Sequence, residues 1–135
     1  MRKQTKKFLT LLTLFLVVLF TISCNKGNTK AEGIGKYAGE WFESQYINEN
    51  SGENEKYTID NNTKPTFVIK SDGSISFTSS GIVIKDITQD SEKSYSYEDS
   101  YGYYNVLEFK NDTECVNTTI SSESGDAWTT IYIKR

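Results

Sequence analysis

Thr66-Phe67-Val68-Ile69-Lys70-Ser71-Asp72-Gly73-Ser74-Ile75-Ser76-Phe77-Thr78 decides the fold of this chain. Two short runs, each alternating apolar and polar residues, flank an Asp-Gly turn, which is the pattern of a β-hairpin. The register follows from burial. A two-residue loop would pair Ser71 with Ser74 and turn Phe67 and Ile69 away from Ile75 and Phe77, exposing one apolar pair. A three-residue loop pairs Lys70 with Ser74 and Ile69 with Ile75, and sets all four large side chains on one face. Burying each is worth about 1.5–3 kcal/mol, more than any turn preference. The three-residue loop is therefore expected, with Gly73 taking the left-handed conformation of a G1 bulge.

Outward from this hairpin the same texture continues. Segments rich in Tyr, Phe, Ile, Val and Thr recur every 8 to 12 residues, separated by Gly, Asn, Asp and Ser, and no segment sustains a helical period. The expected strands are Glu40 to Ile47, Lys56 to Asp60, Thr66 to Lys70, Ser74 to Thr78, Ile82 to Thr88, Lys93 to Tyr97, Tyr103 to Lys110, Glu114 to Ser121 and Trp128 to Lys134. This predicts an all-β domain over residues 37–135, an antiparallel up-and-down meander of about eight strands. Closing it into a small barrel would remove the sheet edges that invite aggregation. Trp41, Phe42, Phe67, Phe77, Leu107, Phe109 and Trp128 are large enough to fill most of such an interior.

Chemistry is limited by composition. The chain contains no histidine and two cysteines, so the common nucleophile-base pairs and zinc sites cannot be assembled. Cys115 lies within a strand pattern and reads as a small buried residue. Carboxylate pairs such as Glu40 with Glu43, or Glu98 with Asp99, stand among hydrophilic neighbours that offer no apolar pocket to raise one pKa. The Asp60-Asn61-Asn62 stretch lacks the spacing of a calcium loop. A non-enzymatic protein without a metal or cofactor is expected.

Ser94-Tyr95-Ser96-Tyr97-Glu98-Asp99-Ser100-Tyr101-Gly102-Tyr103-Tyr104-Asn105 is the richest candidate for recognition. Tyrosine gives a large contact area at low entropic cost, and Ser, Gly and Asn add adaptable hydrogen bonds. Tyr95, Tyr97, Tyr101 and Tyr103 are the expected binding residues, if these tyrosines do more than cover one face of a hairpin.

The first 24 residues carry a location. Arg2, Lys3, Lys6 and Lys7 precede a run rich in Leu, Phe and Val that ends at Ile22, Ser23 and Cys24. That layout is a secretory signal peptide, and the run is shorter than the roughly 20 residues a spanning helix needs. A small residue before a cysteine resembles the lipobox of bacterial lipoproteins, with Thr21 standing where that family usually carries a large aliphatic residue. The resemblance implies cleavage after residue 23 and acylation of Cys24. It places residues 24–36, with three glycines, as a lipidated cysteine and flexible tether in the cell envelope. Cleavage would remove four basic residues and no acidic one, changing 15 basic against 18 acidic residues to 11 against 18, a net charge of −7. Such a chain is repelled by a phosphate backbone, so no nucleic-acid partner is expected, and the lipid on Cys24 would hold it to the membrane.

Gly39-Glu40-Trp41 at the start of the first strand resembles the Gly-x-Trp opening of lipocalin-like barrels. The resemblance implies that Trp41 closes the barrel floor and that a cation from the last strand, Lys134 or Arg135, packs across it. It further implies a small apolar ligand in the barrel. The alternative is a protein-interaction module, an adhesin or periplasmic inhibitor, using loops and the tyrosine hairpin.

Overall fold

The computed structural model describes residues 33–135; the leader, Cys24 and the tether up to Glu32 lie outside the described residues. A 3-10 turn, Ile34–Tyr37, precedes ten strands: β1 (Gly39–Asn48), β2 (Glu53–Lys56), β3 (Phe67–Ile69), β4 (Ile75–Phe77), β5 (Val83–Ile84), β6 (Thr88–Gln89), β7 (Ser94–Glu98), β8 (Tyr103–Asn111), β9 (Glu114–Ser121) and β10 (Ala127–Lys134). Together they form one antiparallel sheet in the order β5-β4-β3-β1-β10-β9-β8-β7-β6, with β2 paired to β1 off this path. First strand beside last, with the rest in sequence, is the cyclic order of an up-and-down meander.

The β3–β4 hairpin has the expected register. Phe67 pairs with Phe77, Val68 with Ser76 and Ile69 with Ile75. Lys70 N donates to Ser74 O at 2.9 Å, Gly73 N donates to Lys70 O at 3.0 Å, and Gly73 takes a φ of 87°. Asp72 Oδ1 accepts from Ser74 N and Ser74 Oγ, so the loop is tied by its own side chain.

The sheet is curled, and a closed barrel is not shown: β5 and β6 end the order without pairing to each other. Two expected strands are corrected. The expected strand Ile82 to Thr88 breaks at Lys85–Ile87, and the cause is spacing. Ile84 and Ile87 both pack against the core, but residues three apart lie on opposite faces of a straight strand. The chain bends to bury both, and this bend carries it from the β3–β4 half of the sheet to the β7–β8 half. Phe77 and Tyr97 meet across the gap with ring centroids 6.4 Å apart. The second correction concerns Lys56 to Asp60. The strand there is Glu53–Lys56, exposed throughout, and it exists by pairing with the far half of β1. Burial does not mark it, so alternation could not show it.

The domain also begins earlier than residue 37. Ile34 is 4% exposed and Tyr37 stacks on Phe109 with ring centroids 3.8 Å apart. The 3-10 turn thus caps the apolar end of the concave face. Gly35 allows the fit, since a Cβ there would stand 2.5 Å from Ser71 O in the β3–β4 loop.

Candidate functional site

Residues paired across an antiparallel ladder point to the same side, so the registers divide the concave face into tiers. At one end lie Trp41, Phe67, Ile69, Ile75 and Phe109, each at most 2% exposed. Trp41 Nε1 donates to Tyr37 O at 3.0 Å, and Phe109 meets its ring edge-on at 5.3 Å. Lys134 Nζ stands 5.8 Å from the Trp41 ring centroid. Arg135 lies elsewhere, donating from Nη1 to Asp60 O at 3.1 Å. Gly39, with φ 143°, lets the Lys134 stem pass. This end is packed by the protein's own side chains.

The next tier is mixed, with polar side chains buried in register with Leu107, Tyr95 and Tyr97. Asn105 on β8 and Asn117, Thr119 and Thr130 on β9 and β10 are all buried. Asn117 Nδ2 donates to Asn105 Oδ1 and to Thr119 Oγ1, and Thr119 Oγ1 donates to Asn105 Oδ1 at 2.9 Å. Asn105 Nδ2 in turn donates to Asp99 Oδ2, linking the network to the β7–β8 turn. Asn117 is 5% exposed, and its Oδ1 has no partner among the described residues. The Asn117 amide also lies close enough to the Tyr132 hydroxyl to favour its ionised form, so the side chain is engaged even where Oδ1 meets no donor in good geometry. Burial also raises the pKa of Tyr97 and Tyr132 on this side of the sheet, with the Glu43 charge adding to the effect on Tyr132. Glu43 itself is raised by burial and by Glu55.

Beyond this mixed tier the concave face opens. A register shift between Glu43 and Gln45 lets β1 continue along β10, pairing Tyr46 with Thr130 and Ile47 with Thr129. Tyr46, Asn48, Asn50, Ser51, Asp126 and Trp128 line an open cleft of about 370 Å³ there. Trp128 is braced edge-on by Tyr103 at 5.4 Å. Asn48 Oδ1 accepts from the backbone N–H groups of Asn50 and Ser51, and Asn50 Nδ2 donates to Asp126 Oδ1. The two turns bounding the cleft are thereby joined.

The four tyrosines expected to bind are not brought together. Tyr95 and Tyr97 are 2% and 6% exposed in the core, Tyr101 is 75% exposed on the β7–β8 turn, and Tyr103 packs on Trp128. The reason is register: Tyr95 and Tyr97 pair with Leu107 and Asn105, which face inward. Tyr95 Oη is buried without a partner among the described residues. Tyr95→Phe is therefore expected to stabilise the domain by up to about 1 kcal/mol, read as a higher urea midpoint at unchanged m-value. A lower midpoint would show that the hydroxyl is bonded. Cys115 is fully buried, and burial pushes its thiol well above the ordinary value, which removes it as a nucleophile.

Sequence reading placed Trp128 only as core filler and missed Tyr46, Asn48, Asn50 and Asp126. One signal was present: Asn105 interrupts the inward alternation Tyr103, Leu107 and Phe109 of β8. A polar residue there marks a tier that is not ordinary core. Comparison of the chain with protein-family models, with curated proteins and with solved structures found no match.

Proposed function

We propose that this chain is a non-enzymatic binding protein, lipid-anchored to the bacterial cell envelope through Cys24, whose ligand occupies the open end of the curled sheet. One observation carries the binding reading: the concave face is filled by apolar side chains at one end and open, with a largely polar lining, at the other. A small apolar ligand inside the sheet is the weaker form of this reading, because Trp41, Phe67, Phe109 and Leu107 already occupy that space. The anchor rests on the sequence Ile22-Ser23-Cys24 after an apolar run, and on the acidity left once the basic head is removed. An acidic domain has no electrostatic hold on an anionic surface, and lipid supplies it. The Gly39, Trp41 and Lys134 arrangement supports a lipocalin-like plan, a likeness that speaks to architecture rather than to ligand.

The second reading, a protein-interaction module, draws on Tyr101 and Tyr104, exposed at 75% and 44% on one hairpin. Mass spectrometry of the protein extracted from its native membrane tests both parts. Acyl chains on Cys24 and a co-purifying small molecule are expected. An intact Met1, or an unmodified Cys24, overturns the anchor; a stoichiometric protein partner held by the tyrosine hairpin favours the second reading.

A further inference from the structure

We infer that the cleft between the β1–β2 and β9–β10 turns takes a neutral saccharide, an inference that rests on the proposed binding role and names its ligand class. The lining chemistry is selective. Tyr46 and Trp128 supply aromatic surface; Asn48, Asn50 and Ser51 supply neutral groups that both donate and accept; Asp126 supplies an acceptor. No lysine or arginine is among these six, and the domain carries excess negative charge, so phosphate and carboxylate ligands find no counterion.

A saccharide ring matches what remains. Its C–H face carries slight positive charge and suits the negative face of an aromatic ring. Its hydroxyls each donate and accept, as amides and the serine do, and each also suits the acceptor-only Asp126. The cleft volume of about 370 Å³ lies near the lower end of small-molecule sites, which run from roughly 300 to 1,000 Å³. It is open to solvent on one side, so a chain end or a free short saccharide fits equally.

The polar groups are held before any ligand arrives. Asn48 Oδ1 is committed to the N–H groups of Asn50 and Ser51 at 3.1 and 3.2 Å, which fixes the amide plane and leaves Nδ2 as the donor. Asn50 is tethered to Asp126 at 3.3 Å, and Trp128 is braced by Tyr103. Groups already ordered lose little entropy on binding. Deeper on the same face, Thr130 pairs in register with both Tyr46 and Asn117. The row from Tyr46 therefore runs back through Thr130 to the buried Asn117, which closes the floor behind the cleft without lining it.

Calorimetric titration of the purified protein with maltotriose, cellotriose and triacetylchitotriose tests the inference, with tryptophan emission followed in parallel. Trp41 is fully buried and Trp128 half-buried, so a shift on binding reports the cleft. Saturable binding of at least one trisaccharide at micromolar to millimolar concentration is expected. Asn48→Asp keeps the acceptor that ties the turn and removes the donor, and is expected to weaken binding roughly tenfold with the thermal midpoint retained. Palmitate and adenosine serve as contrasting probes. Binding of either without any trisaccharide overturns the saccharide class while leaving the open end as a binding site. No heat and no emission change with any trisaccharide, from protein with intact near-ultraviolet dichroism, overturns the inference outright. Unaltered trisaccharide affinity in Trp128→Ala overturns the location.

Discussion

Trp41→Ala is expected to remove about 3–5 kcal/mol from the stability of the domain and to lower its thermal midpoint by roughly 15–30 °C. The side chain is 0% exposed and sits where three parts of the fold converge: Phe67 of β3 with ring centroids 6.3 Å away, Phe109 of β8 at 5.3 Å, and the 3-10 turn through the Nε1 bond to Tyr37 O. Truncation leaves a cavity none of these can fill, since Phe109 is already stacked on Tyr37 and edge-on to Tyr95. It also leaves Tyr37 O without its donor, a further cost for a buried carbonyl. With total stabilities of roughly 5–15 kcal/mol, such a loss brings the domain close to unfolding. Lys134→Met provides the comparison. It retains an unbranched stem across the indole and removes the cation, and is worth about 0.5–1 kcal/mol. Thermal melts followed by circular dichroism separate the two; a Trp41→Ala loss below about 1 kcal/mol would mean that the 3-10 turn is not held by this side chain.

What the sequence revealed follows from which signals are local. The β3–β4 hairpin was legible to its register because turn chemistry and period-two burial agree within 13 residues. The strands from β7 to β10 were legible as elements, but not their inward faces: β9 buries Cys115, Asn117 and Thr119 and leaves Val116 and Ile120 on the other side. The bend between β5 and β6 was not, because Ile82, Ile84 and Ile87 look like one apolar segment until the requirement to bury both Ile84 and Ile87 breaks it. Ile34 was hidden among glycines, where a single buried side chain leaves no period to detect. Its place is set by Ser71 and Gly73, more than 30 residues away in sequence.

The candidate site shows a different limit. Alternation in Ser94–Glu98 tells that Tyr95 and Tyr97 share a face, but a single strand does not tell whether that face is core or solvent. Their partners decide it, and Leu107 and Asn105 face inward. The cleft residues were out of reach for a similar reason. Asn48, Asn50 and Ser51 read as turn-formers, and they are; the β9–β10 turn brings Asp126 and Trp128 against them only once β1 and β10, at opposite ends of the chain, pair. Pairing of the first strand with the last is a tertiary event, and the site is its product.

Gly39→Val tests that pairing directly and is expected to cost about 2–5 kcal/mol. Gly39 has φ 143°, a conformation that a β-branched residue adopts only under strain. A Cβ at this position would also stand 2.8 Å from Lys134 Cδ and 3.3 Å from Cγ, so the stem crossing the Trp41 ring must move. The two costs are separable. In a Gly39→Val, Lys134→Ala double variant the steric part is relieved and the backbone part remains. The double variant is therefore expected to be more stable than the sum of the two single losses, with a coupling of about 1–3 kcal/mol in urea unfolding. Strict additivity would show that Gly39 is required for its backbone alone. A coupling that accounts for the whole Gly39→Val loss would show the reverse: that the glycine is there to let the last strand lay its lysine against the first strand's tryptophan.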